Sequence, residues 1–244
     1  MGSWNIADRH YAYDEETFTK RILFEHERRL NTQGRPVSTL WSTERFENEH
    51  AALVFIRENS SIPVPKVLEF TTLGEGIYEL KMERVQGTRL SSIKKNKDQA
   101  TKAVDEYISQ FVLPELHGLR SRTVGSLTGK ILPPCRLWSE SESHQWKPWK
   151  SWFKTNGFVH NDLSQGNILV DDNFKVVGII DWEYSGFYPD EFEAPLWTTS
   201  PKDEGYHDIG AEKIPQLVKF LSQKEHKQFW PGNFSLLCVL SFGQ

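Results

Sequence analysis

The sequence predicts an α+β fold of two lobes: a small N-terminal lobe with a β-sheet and one helix, then a mainly helical C-terminal lobe that carries a polar loop and a β-hairpin. Three observations predict it. Strand-like runs up to residue 85 enclose a single helical segment. Residues 84–90 follow the last of these strands and contain a glycine, as expected for a connection between lobes. Helical spacing then dominates until the hairpin at residues 168–180. We therefore expect lobes at residues 1–85 and 86–244.

Composition places the chain among soluble globular proteins. It has 244 residues, of which 38% are hydrophobic and 25% are charged. A net charge of −4 argues against nucleic acid as a partner, and no apolar run is long enough to span a membrane. The N-terminus lacks the layout of a signal peptide, and Cys135 and Cys238 are the only cysteines. We therefore expect a cytoplasmic protein without disulfides, and the sequence does not indicate an oligomeric state.

The N-terminal lobe shows one clear strand and one clear helix before residue 60. Residues up to 24 alternate only weakly, and residues 18–23 form the strand. A helix is predicted from residue 43 to residue 59, with Phe46, Leu53 and Ile56 on one face. Glu49 lies within this apolar stripe, and a carboxylate there needs a cation or several donors, because burying it unpaired is costly.

Two further strands, residues 67–72 and 77–85, complete the predicted N-terminal lobe. Their connection is a glycine-rich turn, as expected for a hairpin. The second strand places Tyr78, Leu80 and Met82 on a common face, because side chains alternate along a strand.

The C-terminal lobe has less regular patterning outside the hairpin. Residues 98–119 are predicted to be helical, with Pro114 kinking or splitting the helix, and a connection rich in glycine and proline follows at residues 121–136. Beyond residue 190 we predict one helix, residues 209–223, with a break near Pro215. Core or wall packing explains a group of four tryptophans better than a stacking platform for nucleic acid does. These are Trp138, Trp146, Trp149 and Trp152.

Residues 158–183 combine a polar loop with a β-hairpin. Two β-branched runs flank the turn Asp171-Asp172-Asn173, and the loop before them carries His160, Asp162 and Asn167. Asp181 follows the second strand, so folding of the hairpin brings it back beside the loop. Two carboxylates and an amide then converge, and such a cluster requires a positive occupant.

The spacing His160-x-Asp162-Leu163-x-x-x-Asn167 matches the catalytic loop of phosphotransferases. Asp181 would supply a second metal-binding carboxylate. A base at Asp162 would meet an acceptor hydroxyl in line with a γ-phosphate, while the amide and Asp181 reach Mg²⁺, an ion that prefers oxygen ligands. Capping of turns by Asn and Asp side chains is the alternative for each residue alone, but the three together favour a site.

The chain resembles the aminoglycoside phosphotransferase and choline kinase-like family, whose fold is the two-lobe fold of protein kinases. The resemblance rests on His-Asn-Asp-Leu-Ser-x-x-Asn with Ile-Asp-Trp-Glu, and it extends upstream to the motifs at residues 48–53, 62–67 and 82–90. It covers residues 15 to 195. It implies ATP and Mg²⁺ as cofactors.

The resemblance also implies a role for each matching residue. Asp162 would be the catalytic base, and Asn167 and Asp181 the metal ligands. Lys20 would bind the α- and β-phosphates with Glu49 as its partner, and His160 would be structural. The adenine would lie against the backbone of Glu83 and Val85, behind Met82.

Two sets of assignments stay open at this stage. Arg21 and Lys66 are rivals of Lys20 as the phosphate-binding residue. The acidic residues after Asp181 are best explained as a solvated surface, although they could line a pocket for a substrate that carries an amine. These residues are Glu183, Asp190, Glu191 and Glu193, and the candidates for substrate binding are Glu183 and Asp190.

No glycine-rich segment precedes Lys20, where the only glycine is Gly2, so we expect a reduced nucleotide-binding lobe. The function predicted is ATP- and Mg²⁺-dependent phosphoryl transfer to the hydroxyl of a small molecule. The alternative is a catalytically weak or inactive kinase-fold module for binding or regulation. A protein kinase is disfavoured, because no Ala-Pro-Glu motif follows Asp181.

Overall fold

The N-terminal lobe is a five-stranded antiparallel sheet packed against one helix. The computed structural model describes residues 1–74, 76–137, 146–150 and 154–222. The elements are β1 (Gly2–Ile6), β2 (Arg9–Tyr13), β3 (Thr17–Ile22), α1 (Ser42–Asn59), β4 (Val67–Gly74) and β5 (Ile77–Glu83). The strand order is β1-β2-β3-β5-β4, with the helix inserted between β3 and β4 in the chain.

Helix α1 forms where its apolar spacing predicts it and turns one face into the core. Phe46, Leu53 and Ile56 are almost completely buried, and each contributes about 1.5–3 kcal/mol by leaving water. The helix ends at Asn59 because Pro63 and Pro65 follow and favour extended backbone. Glu49 is buried in the same face, as the stripe predicts.

The turn between β1 and β2 is short and contains no glycine. Strands β1 and β2 are joined by Ala7 and Asp8 alone, and Ala7 has a left-handed backbone with φ of 51°. Asp8 is fully buried and accepts hydrogen bonds from the backbone and hydroxyl of Thr39, both at 3.0 Å. The lobe thus has a five-stranded sheet whose first turn contains no glycine.

The C-terminal lobe combines short helices with several small sheets. Helix α2 (Lys97–Tyr107) continues through a π-helical segment, Ile108–Val112, into α3 (Leu113–Gly118) without leaving helical backbone. Pro114 lies in the first turn of α3, so the helix departs from regular α geometry before the proline but is not split. Its elements are β6 (Thr88–Arg89), α2 (Lys97–Tyr107), α3 (Leu113–Gly118), β7 (Arg120–Ser121), β8 (Thr123–Val124), β9 (Trp149–Lys150), β10 (Asn156–Val159), β11 (Ile168–Val170), β12 (Val176–Ile179), β13 (Gly186–Tyr188) and α4 (Ile214–Leu221).

The predicted hairpin is the pair β11 and β12, which are antiparallel with Ile168 opposite Ile179. Strand β11 also pairs with β6, which immediately follows the segment that leaves the N-terminal lobe. The hairpin therefore connects the junction of the lobes to the loop that carries Asp162. One hydrophobic core extends through both lobes, from Ile22 and Leu80 to Ile168 and Trp182.

The predicted start of the last helix is wrong. Two 3-10 turns, Tyr206–Asp208 and Ala211–Lys213, precede α4, which begins at Ile214. Pro215 lies in its first turn, where the missing N–H needs no partner, so the proline begins the helix instead of breaking it. The predicted end at Gln223 lies outside the described residues.

Trp146 and Trp149 pack against a second core cluster that includes Tyr188 and Leu217. The packing expected for these two tryptophans is confirmed, and Trp138 and Trp152 lie outside the described residues. No helix in the described part of the chain combines the length and apolarity needed to cross a membrane.

Candidate active site

A cleft of about 360 Å³ lies where the two lobes meet. Its ceiling is aromatic: Trp4 stacks on Tyr11 with ring centroids 5.3 Å apart, and Phe18 lies beside them. The weak alternation of residues 4–13 did not reveal this ceiling. Seven of the residues predicted from the sequence line the cleft. They are Lys20, Glu49, Met82, Glu83, Val85, Asn167 and Asp181.

Lys20 bridges two carboxylates at the inner end of this cleft. Its Nζ lies 2.6 Å from Glu49 Oε1 and 2.8 Å from Asp181 Oδ1. Burial alone would lower the pKa of Lys20, but the two carboxylates hold it above its ordinary value. The rival residues point elsewhere: Arg21 pairs with Glu27 at 2.7 Å, and Lys66 is exposed. Of these three candidates, only Lys20 therefore joins the strand, the helix and the hairpin.

The two carboxylates that share Lys20 have different environments. Burial raises the pKa of Glu49 to about 7, despite the adjacent ammonium group. Burial opposes ionisation of Asp181 as well, but Lys20 lowers the pKa of Asp181 below its ordinary value, and 34% of its side chain is exposed. Asp181 also has a left-handed backbone, with φ of 68°, a strained conformation that is typical of functional sites. Asp181 is thus the ionised carboxylate that faces the cleft.

His160 holds the loop together as a neutral side chain. It is completely buried, and burial lowers its pKa to about 4. Its Nδ1 accepts the N–H of Asp162 at 3.2 Å, so Nε2 carries the hydrogen and donates to the carbonyl of Ile180 at 3.0 Å. This geometry ties the loop to the end of β12 and leaves no proton for His160 to exchange with a ligand.

Asp162 and Asn167 meet directly across the loop. Asn167 Nδ2 donates to the carbonyl of Asp162 at 2.8 Å and to its carboxylate at 3.1 Å. The Ile180 N–H donates to the carbonyl of Asn167 at 2.9 Å, which brings the residue before Asp181 to the same place. Burial and the carboxylates of Asp181 and Glu183 raise the pKa of Asp162 to about 8. The predicted convergence of an acid, an amide and a second acid is therefore present.

The raised pKa of Asp162 predicts that stability falls as pH rises. The folded ligand-free protein keeps the Asp162 proton up to about pH 8, whereas the unfolded chain loses it near 3.8, so folding binds a proton between these values. We expect the free energy of unfolding to fall by about 2 kcal/mol or more between pH 5 and pH 8 in wild type relative to Asp162→Asn, measured by urea melts. A difference between the two proteins that does not change with pH would contradict the raised pKa.

The cleft offers the donor set that Mg²⁺ prefers. Asn167 and Asp181 supply an amide and a carboxylate within it, and an oxygen atom of Glu49 lies within 4.8 Å of one of Asp181. In addition, Oε2 of Glu49 is buried without a hydrogen-bond partner in the described part of the protein. The residues present thus fit a hard divalent cation.

The junction of the lobes lines the opposite end of the cleft. Met82 is 4% exposed, and Glu83 and Val85 follow it along the wall. The Glu83 N–H already donates to the carbonyl of Lys66 at 2.8 Å. Glu83 can therefore offer a ligand its carbonyl oxygen but not its N–H, which narrows the hydrogen bonds expected at this edge.

The structure separates the two candidates for substrate binding. Glu183 is buried and forms ion pairs with Arg45 and, at 3.9 Å, with Arg9, so its assignment to a solvated surface is wrong. A carboxylate held by two arginines is also poorly placed to receive an ammonium group. Asp190 is exposed, lies 3.6 Å from His117 and 3.7 Å from Arg120, and does not line the cleft among the described residues.

Glu193 is a functional candidate that the sequence analysis assigned to the solvated surface. Its Oε2 accepts the N–H groups of His160 at 2.5 Å and of Asn161 at 3.3 Å. Arg136 donates to the carbonyl of Asn161 at 3.2 Å from the other side. Burial raises the pKa of Glu193 to about 7. An acid between the apolar residues Phe192 and Ala194 was the available indication that it faces inward.

Comparisons with known proteins identify a family and a fold for this chain. A family model described as the phosphotransferase enzyme family matches residues 25–193. Probable choline kinase 2 of Arabidopsis thaliana is 54% identical over 33 residues, which are 14% of this chain and 9% of that protein. Probable choline kinase 1 of the same plant is 52% identical over 33 residues. The match spans about a tenth of the length of these curated relatives.

Solved structures show the same fold at low sequence identity. The GDP and kanamycin complex of APH(2")-IIia has a TM-score of 0.54 and 12% identity, over 90% of this chain and 82% of that one. Aminoglycoside phosphotransferase APH(3'')-Id from Streptomyces rimosus, in complex with ADP and streptomycin, has a TM-score of 0.50 and 15% identity, over 86% and 82%. The two-lobe, protein-kinase-like architecture is confirmed. Since the family model covers well over half of the sequence, the chain belongs to the phosphotransferase enzyme family.

Proposed function

We propose that this protein is a phosphotransferase that moves the γ-phosphoryl group of ATP, with Mg²⁺, to a hydroxyl group of a small molecule. One observation carries the proposal: Lys20 lies between Glu49 and Asp181 in a cleft that also contains Asn167, with Asp162 hydrogen-bonded to that amide. The complexes of the structural neighbours with GDP and ADP support a nucleotide in this cleft.

The charge of each residue in the cleft determines its proposed role. Lys20 would neutralise phosphate oxygens, and Glu49 holds the ammonium group in place. Asn167 and Asp181 would hold Mg²⁺, which when bound neutralises charge on the phosphates. The ceiling formed by Trp4, Tyr11 and Phe18 would exclude water from the nucleotide.

Asp162 is the proposed acceptor of the hydroxyl proton. A group with a pKa near the working pH is an effective base, and Asp162 has a pKa of about 8 in the ligand-free protein. The hydrogen bond from Asn167 fixes the direction of its carboxylate. Most of the rate would come from holding the hydroxyl and the phosphate in line, as in other phosphoryl transfers.

The proposed acceptor is a small molecule that carries a hydroxyl group, and the proposal does not require that it also carry an amine. Kanamycin and streptomycin are bound by the structural neighbours, and choline kinases are the curated relatives. The structure does not assign an ammonium-binding role to Glu183, because two arginines already occupy its carboxylate. A screen of hydroxyl-bearing metabolites for ATP consumption addresses the acceptor directly.

A binding or regulatory module is the second candidate, and the turn between β1 and β2 favours it. The side chain of Asp8 in this turn is held by Thr39, and no glycine is present to let backbone amides approach a phosphate. Such a module would be stabilised by nucleotide in thermal melts and would consume no ATP with any acceptor in the same screen.

Thermal melts test nucleotide binding before any acceptor is known. We expect ATP with Mg²⁺, at 100 times its dissociation constant, to stabilise the protein by about 2.7 kcal/mol. Asp181→Asn should abolish the part of this stabilisation that depends on Mg²⁺, because it removes a charged ligand. A melting temperature that does not respond to millimolar ATP and Mg²⁺ would exclude both candidate functions.

A further inference from the structure

Glu183 is the centre of a buried ionic cluster between the lobes. It lies two residues after Asp181 and is 9% exposed. Arg45 reaches it from α1, and Arg9 reaches it from β2 with an N–O distance of 3.9 Å. Both arginines are themselves buried. Since an unpaired buried charge is costly, each partner constrains the position of the others.

Aromatic rings fix the two guanidinium groups. Arg45 lies over the ring of Tyr184 at 4.6 Å, and Arg9 lies over the ring of Phe46 at 5.0 Å. Arg9 also donates to the hydroxyl of Ser42 at 2.5 Å and to its carbonyl at 2.8 Å, at the first residue of α1. The cluster thus connects β2, the start of α1 and the segment after Asp181.

Asn48 makes a second connection from the same helix. It is completely buried, and Nδ2 donates to the carbonyls of Glu183 at 3.2 Å and Ser185 at 2.9 Å. Its Oδ1 accepts the Leu127 N–H at 3.0 Å. All three of these hydrogen bonds of the Asn48 amide go to the C-terminal lobe, and they hold α1 against it.

Helical geometry makes these contacts relevant to Lys20. Asn48 and Glu49 follow Arg45 by three and four positions, so both side chains neighbour Arg45 on the surface of α1. Arg45 and Asn48 bind the segment after Asp181, and Glu49 binds Lys20, which also binds Asp181. A shift of α1 relative to that segment would move Glu49 away from Asp181, and Lys20 could then no longer bind both carboxylates.

We infer that Glu183 is a positioning residue: its pairing with Arg45 and Arg9 locks α1 onto the Asp181 segment and holds Lys20, Glu49 and Asp181 ready for phosphate before a nucleotide binds. Glu183 acts through its neighbours and does not touch the nucleotide. The effect on nucleotide rests on the proposed function, whereas the lock itself is a property of the ligand-free protein.

The variant Glu183→Gln tests the lock, because it keeps the shape of the side chain and removes its charge. We expect affinity for ATP with Mg²⁺ to fall about tenfold or more, as for loss of a buried charge-assisted hydrogen bond, while affinity for adenosine stays unchanged. Adenosine lacks the phosphates that depend on Lys20, so general destabilisation would not produce this difference. Hydrogen exchange of the ligand-free variant should accelerate in residues 48–56 and stay unchanged in the β11 hairpin.

The control is Glu27→Gln, which neutralises a glutamate paired with an arginine in the N-terminal lobe, away from the cleft. It should bind ATP as wild type does.

If Glu183→Gln does not fold, Arg45→Lys tests the same lock. It retains the charge but loses the fork geometry of the guanidinium group, and the same changes in hydrogen exchange and ATP affinity are expected. Exchange and ATP affinity equal to wild type would overturn the inference, and so would an equal loss of ATP and adenosine affinity. Failure of wild type to bind ATP would remove the proposed function, and exchange in the variant would still decide the lock.

Discussion

Replacement of Asp162 by alanine is expected to lower turnover by about 10²–10⁴-fold and to leave nucleotide affinity nearly unchanged. The carboxylate is the group in the loop with a raised pKa and a fixed direction, set by the amide of Asn167 at 3.1 Å. It does not line the cleft that contains Lys20 and Asp181. Its loss should therefore affect the transfer step more than binding.

The measurement is steady-state ATP consumption with an acceptor found in the metabolite screen, together with calorimetric titration of ATP and Mg²⁺. Asp172→Asn is the matched control, because it removes a carboxylate from the exposed hairpin turn. It should retain full turnover. Equal turnover in wild type and Asp162→Ala would remove the assignment of the base.

Lys20→Met is expected to destabilise the ligand-free protein by about 3–5 kcal/mol, because it leaves Glu49 and Asp181 buried without their shared cation. It should also abolish measurable ATP binding. The pKa of Glu49 is already about 7 and would rise further without the ammonium group. A carboxyl that keeps its proton carries no unpaired charge, so the destabilisation should be smaller at pH 5 than at pH 8.

Urea melts of the variant at both pH values test this expectation. Arg21→Met is the control, because Arg21 is the neighbouring cation and pairs with Glu27 on the other side of the sheet. An ion pair of that kind contributes about 0–1 kcal/mol. Equal losses for the two variants, or a loss for Lys20→Met that does not depend on pH, would show that Lys20 does not neutralise the two acids.

Local patterns predicted the central part of the fold. The hairpin of β11 and β12 follows from β-branched runs around a turn, and α1 follows from the spacing of Phe46, Leu53 and Ile56. The site residues of the loop follow from spacing along the chain, because folding of the hairpin returns Asp181 to the loop that precedes it. The contact between Lys20 and Glu49 was expected from the family resemblance and from the inward position of the glutamate.

Features that depend on distant partners could not be predicted. Strands β1 and β2 gain their stability from cross-strand aromatic contacts such as that between Trp4 and Tyr11, which a weak alternation does not show. Burial of Glu183 and Glu193 depends on Arg45 and on backbone N–H groups that only the folded chain brings near. An acidic run after Asp181 therefore resembled a surface in the sequence.

A crystal structure with a non-hydrolysable ATP analogue and Mg²⁺ tests the central claim most directly. The account predicts that the triphosphate contacts Nζ of Lys20 and that Asn167 and Asp181 hold the metal ion. The adenine ring should lie against Val85. A nucleotide bound outside this cleft, or a metal ion that contacts neither Asn167 nor Asp181, would contradict it.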